Sequence, residues 1–168
     1  MHEDPSPQKN EVSTSAPLPI PYTAEEVGRT FADLLRTFDD AADMDELGIS
    51  RLRCLKRALI KRHLTAIRIA LWHVALGKSF PKDASTFFKH FIATHLPLSV
   101  NSRRAKKLRD LVEWYDTLVG EKKDTDFTQV ADALVKALGS KHDDGRRQQL
   151  KLSLRIRSTY ELIFEKLI

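Results

Sequence analysis

From Thr23 onward, apolar residues recur at intervals of three and four, the period of a helix with one buried face. Thr23-Ala24-Glu25-Glu26 has capping-box spacing, and Val27, Phe31, Leu34, Leu35 and Phe38 follow at helical intervals. This first helix is expected to fade in Asp39–Asp43, where acids oppose the dipole of a helix C-terminus. Leu47-Gly48-Ile49-Ser50 reads as a turn and a new N-cap. From Arg51 to about Leu76 neither proline nor glycine interrupts. Leu52, Leu55, Leu59, Ala66, Ala70 and Val74 form one stripe there, and Ile60, Leu64, Ile67 and Leu71 widen it, so a central buried helix is predicted.

Three shorter patterns follow. The first, about 84–95, carries Phe87, Phe88, Phe91 and Ile92, with Asp83 or Ser85 as its cap. After the break Leu96-Pro97-Leu98-Ser99, a helix over about 101–119 turns Ala105, Leu108, Leu111, Val112, Tyr115, Leu118 and Val119 inward. The third runs from Phe127 to Leu138 and is closed by Gly139. Leu150–Arg157 alternates strictly, which is a strand signal, yet Leu152, Ile156, Tyr160, Ile163 and Leu167 also fall on a helical stripe. No other segment offers a strand partner, and a lone strand leaves its backbone unpaired, so a helix over about 146–167 is expected. As a strand, the segment resembles the paired ribbon with which ribbon-helix-helix proteins read DNA, through Lys151, Ser153, Arg155 and Arg157.

The fold class expected is all-α. Residues 23–168 form one compact bundle of about six helices. Residues 1–22 hold five of the seven prolines and are expected to be a disordered, proline-rich tail.

Composition adds what periodicity leaves out. With 42% hydrophobic residues the 168-residue chain can bury a core. No apolar run approaches the ~20 residues of a membrane span, and Met1-His2-Glu3-Asp4-Pro5 lacks the basic and apolar regions of a secretory signal. Cys54 is the one cysteine, so neither an internal disulfide nor a thiolate metal cage is available, and a cytoplasmic location is expected. The net charge of +5 conceals a division. Residues 1–48 carry three bases and eleven acids, a balance of −8; residues 49–168 carry twenty-five bases and twelve acids, a balance of +13. A basic body behind an acidic leader points to a polyanionic partner, and the leader could compete for the same surface.

The sharpest candidate is Asn101, Ser102, Arg103, Arg104, Lys106 and Lys107, at the start of a helix whose later half holds Asp110, Glu113 and Asp116. Cations at the positive end of a helix are unfavourable by about 0.3–1 kcal/mol each. Neighbouring like charges add about 0.2–0.5 kcal/mol per pair. An anion bound there reverses the sign of both effects. A Phe-rich helix, a short break and a basic helix are the order of a helix-turn-helix unit, placed here near 84–118. In such a unit Arg suits guanine and Asn adenine, while Lys meets phosphate. Arg57 and Lys61 on the long helix, and Arg146 and Arg147 near the last one, could extend the footprint. Equally, these cations could line a solvated face or grip acids in residues 33–46.

Catalysis finds little support. His63 falls on the apolar stripe of the long helix, His73 adjoins Trp72, and His90 and His95 are five apart, a spacing that does not align two ligands on one helix face. Cys54 reads as a small buried residue, and Trp72, Trp114 and Tyr115 as core. Gly77-Lys78-Ser79 has the tail of a phosphate-binding loop without its earlier glycine. The expectation is a non-enzymatic DNA-binding protein, regulatory or accessory, with no cofactor, no metal and no membrane, for which a homodimer is allowed. The alternative is a helical adaptor or chaperone for an acidic protein, using the Phe-rich helix and the final helix as contact surfaces.

Overall fold

The computed structural model describes residues 22–50, 52–96, 103–122, 126–139 and 142–167. Among them are seven helices and no strand: α1 Ala24–Thr37, α2 Asp40–Glu46, α3 Cys54–Ser79, α4 Ala84–Thr94, α5 Arg103–Lys122, α6 Thr128–Leu138 and α7 His142–Leu167. The all-α bundle is therefore present, with one helix more than expected. Apart from Tyr22, the expected tail lies outside the described residues.

α1 begins as its sequence predicts. The Glu26 backbone N–H donates to Thr23 Oγ1 at 3.2 Å, and the Thr23 N–H donates to Glu26 Oε2 at 3.0 Å. Donation from the Thr23 backbone, then from its hydroxyl, holds the Glu26 carboxyl below its ordinary pKa. The acidic run after α1 departs from expectation. Phe38 adopts extended backbone, and Asp39 Oδ1 accepts from the N–H groups of Ala41 and Ala42 at 2.9 and 3.0 Å. Asp39, Asp40 and Asp43 thus open the additional helix α2. They sit at its positive end, where acids stabilise, and not at the tail of α1, where they would not.

α3 is the axis of the bundle and packs against all six other helices. Every residue from Ala66 to Trp72 is buried, so the middle of α3 is enclosed all round. α1 and α4 cover one side: the Phe31 ring stacks on Trp72 at 4.4 Å between centroids, and Phe91 lies 4.8 Å from Trp72. A Cβ on Gly28 of α1 would lie 3.4 Å from Nε2 of His95, the residue that caps α4. Tyr115 and Val119 of α5, Leu134 of α6 and Ile163 of α7 are fully buried and complete the core. Burial of each such large side chain is favourable by about 1.5–3 kcal/mol.

Three boundaries differ from the sequence reading. The Arg53 N–H donates to Ser50 O, closing a turn, so α3 starts at Cys54 and not directly after Ser50. α3 continues through Gly77 to Ser79, and α5 continues through Gly120 to Lys122. Gly139 does end α6 in left-handed backbone, with φ at 65°. The alternating segment is helical. Leu152, Ile156, Tyr160 and Ile163 are buried at helical spacing, while Leu150 and Leu154 point to solvent. Helical spacing wins because α6 and α3 offer one packing face and no strand stands beside it among the described residues. The ribbon-helix-helix comparison falls with it.

A buried charge cluster fastens α2 to the bundle. Arg68, 4% exposed, donates to Asp40 Oδ1 at 2.6 Å and to Asp43 Oδ2 at 2.7 Å. Its guanidinium also lies 4.3 Å from the Phe38 ring centroid. Arg155 of α7 donates to the other Asp43 oxygen through Nε and Nη2, at 3.1 and 2.5 Å. One carboxylate therefore joins α2, α3 and α7. Removing one partner from a buried pair leaves an uncompensated charge and costs about 3–5 kcal/mol. Asp43→Ala leaves Arg68 with Asp40 as a remaining carboxylate, so it is expected to lower unfolding stability in urea denaturation by less than that, about 1–3 kcal/mol. A change within about 0.5 kcal/mol, the scatter of surface substitutions, would show that the cluster does not hold α2 in place.

Candidate functional site

The cations singled out from sequence divide into two groups. Arg57 and Lys61 belong to the first. Arg57 Nη1 donates to Asp45 Oδ1 at 3.1 Å and to Ile49 O at 3.0 Å, and Lys61 Nζ lies 3.0 Å from Asp40 Oδ2. With Arg68 and Arg155, they grip the acids of α2. α2 brings three carboxylates to the face of α3 that carries residues 57, 61, 64 and 68 at turn spacing.

The second group is at the start of α5. Arg103, Arg104, Lys106, Lys107 and Arg109 are exposed, and no carboxylate pairs with any of them among the described residues. Asn101 and Ser102 lie outside the described residues. Arg146 and Arg147 are exposed on the first turns of α7. The helix order expected of a helix-turn-helix unit is present, but α4 and α5 make no close backbone approach to each other. His73 of α3 stands between them. It stacks on Phe88 of α4 at 3.9 Å and places Nδ1 2.8 Å from Asp116 Oδ1 of α5. Both helices pack on α3; of the break between them Leu96 is buried, and residues 97–102 lie outside the described residues.

Sequence reading missed one member of this surface. Trp114, expected in the core, is 45% exposed. It follows Arg103 by eleven residues and Lys107 by seven, so all three share one solvent face of α5. That spacing was visible in the sequence, but an aromatic side chain is read as core by default. Asp110 lies between Lys107 and Trp114 on the same face and confines the unbalanced positive charge to the first two turns.

The other candidates take structural places. His63 is buried, and its Nδ1 shares a 2.8 Å hydrogen bond with the Tyr115 hydroxyl. Burial, then the nearby Arg62 charge, lowers the His63 pKa, while burial raises that of Tyr115. Cys54, expected to be buried, is exposed. Phe87 and Phe91 of α4 are buried, and Phe88 and Ile92 are half-buried against the core. Among the described residues no group of three His, Cys, Asp or Glu could hold a metal ion, and no helix is long and apolar enough to cross a membrane.

The two most exposed large apolar side chains among the described residues lie at and just before the start of α3. Leu52 and Leu55 are 92% and 90% exposed and Leu59 is 39% exposed, although all three belong to the stripe that is buried further along at Ala66 and Ala70. The stripe was expected to be buried throughout, but the first turns of α3 extend past the helices that would cover it. Arg53, Lys56 and Arg62 lie beside this apolar end, and no acid occurs between residues 47 and 82.

Comparison of the chain with protein-family models, with curated proteins and with solved structures found no match.

Because its folded pKa is lowered, His63 contributes stability that is fully present above its ordinary value near 6.5. As pH falls through that value, the unfolded chain takes up a proton that the folded chain resists. Wild-type stability is therefore expected to fall from pH 7 toward pH 5.5, and the His63→Gln variant to show a flatter profile in urea denaturation. Parallel profiles would remove His63 as the cause.

Proposed function

We propose that the protein is a non-enzymatic DNA-binding protein, regulatory or accessory, whose contact surface is the opening of α5. The observation that carries this reading is the contrast between the two cation groups. Arg57, Lys61, Arg68 and Arg155 are balanced by the acids of α2, whereas Arg103, Arg104, Lys106 and Lys107 have no carboxylate partner among the described residues and stand at the positive end of their helix. Phosphates would balance both the side chains and the helix dipole. Trp114, on the same face, offers an aromatic plane beside the phosphate contacts. The reading rests on this exposed cationic face and does not require α4 and α5 to pack as a helix-turn-helix pair. A cytoplasmic site of action suits a chain with a single, exposed cysteine.

A second reading has its own observation. The uncovered stripe Leu52, Leu55 and Leu59, flanked by Lys56 and Arg62, fits the apolar face of an acidic amphipathic helix, as an adaptor would present it. Two copies of this chain meeting symmetrically through the stripe would set like charges against each other, which favours an acidic protein partner over self-association.

Fluorescence anisotropy on a 20-base-pair duplex separates the two. Each phosphate contact adds about 0.9 to the slope of log affinity against log salt, so Arg103→Ala/Arg104→Ala is expected to flatten the slope by about 2 and to weaken binding at low salt. Leu55→Ser is expected to leave duplex binding unchanged. Equal affinity of wild type and the double variant across the salt series would reject the α5 surface.

A further inference from the structure

We infer that the pocket lined by α2, the turn after it, α3 and α7 is a binding site for a small organic anion with an apolar body. The cavity has a volume of about 320 Å³, and Leu47, Leu64 and Leu152 supply its apolar lining. Arg147, Lys151 and Arg155 line it at four-residue intervals, so two turns of α7 present three cations to one space.

Asp43 also lines the cavity, and its two oxygens are already held: Oδ2 by Arg68 and Oδ1 by Arg155. It does not neutralise the remaining cations. Arg147 and Lys151 are exposed, and neither has a carboxylate partner among the described residues. A ligand that combines an anionic head for Arg147 and Lys151 with an apolar body for the three leucines would meet both kinds of lining. Small-molecule sites have this mixed character, mostly apolar with a few placed polar groups, and volumes from about 300 Å³ upward. Neither reading of the α5 and α3 surfaces is needed for this site.

The test uses the full chain and two probes of nearly equal shape, 2-naphthoate and the uncharged 2-naphthamide. Methyl NMR follows Leu64 and Leu152 during each titration. Saturable shifts at both leucines with 2-naphthoate, and binding of 2-naphthamide weaker by about tenfold or more, are expected from the loss of charge-assisted contacts. Arg147→Gln/Lys151→Gln should weaken 2-naphthoate to the level of 2-naphthamide with an unchanged thermal transition. Leu64→Phe, which adds bulk to the apolar lining, should weaken both probes. No saturable shift at millimolar probe, equal binding of the two probes, or an unaffected double variant would each overturn the proposal.

Discussion

The bundle depends on where the Asp43 carboxylate lies. Both of its oxygens are occupied by guanidiniums from different helices, Arg68 of α3 and Arg155 of α7, and Arg68 is buried with it. Burying Arg68 without an anion would be prohibitive, because an isolated charge in an apolar interior costs many kcal/mol. The short helix α2 supplies that anion and a second one, Asp40, on the same face. Its own start is set by the Asp39 cap, so a local hydrogen-bonding choice places the charges that close one side of the core.

This arrangement sorts the chain's excess positive charge. The acidic leader does not offset the basic body uniformly. Of its last acids, Asp40, Asp43 and Asp45 are used by cations of α3 and α7 that face α2, and they leave the opening of α5 unbalanced. A helix would not choose that arrangement for its own stability. Exposed charge alone is ordinary, but exposed charge of one sign at the wrong end of a helix, with a half-exposed tryptophan on the same face, is the pattern on which the proposed polyanion contact rests. The cavity beside Asp43 has a related origin: the same clamp leaves two α7 cations beside an apolar lining.

Much of the fold was legible because helical periodicity is a strong signal over long segments. The capping box at Thr23, the glycine stop at Gly139 and the stripe of α7 appear as the residues predict. What sequence did not show was tertiary choice. Asp39 can end one helix or cap the next, and only the break at Phe38 decides. The leucine stripe of α3 is continuous in sequence but covered only where neighbouring helices reach. Arg57 and Arg103 look alike in the sequence and differ only because α2 folds against one of them. Trp114 was assigned to the core because of its type, and its spacing from Arg103 gained meaning only with its exposure known. The cavity residues come from three distant segments that no local motif joins.

The most direct test of this sorting of charge is the arginine Nε–Hε NMR spectrum during titration with a short DNA duplex. Arg103, Arg104 and Arg109 are expected to shift early and saturably, while Arg57, Arg68 and Arg155, held by Asp45, Asp40 and Asp43, stay in place. Shifts led by Arg57, Arg68 or Arg155 with the α5 signals unmoved would contradict the account.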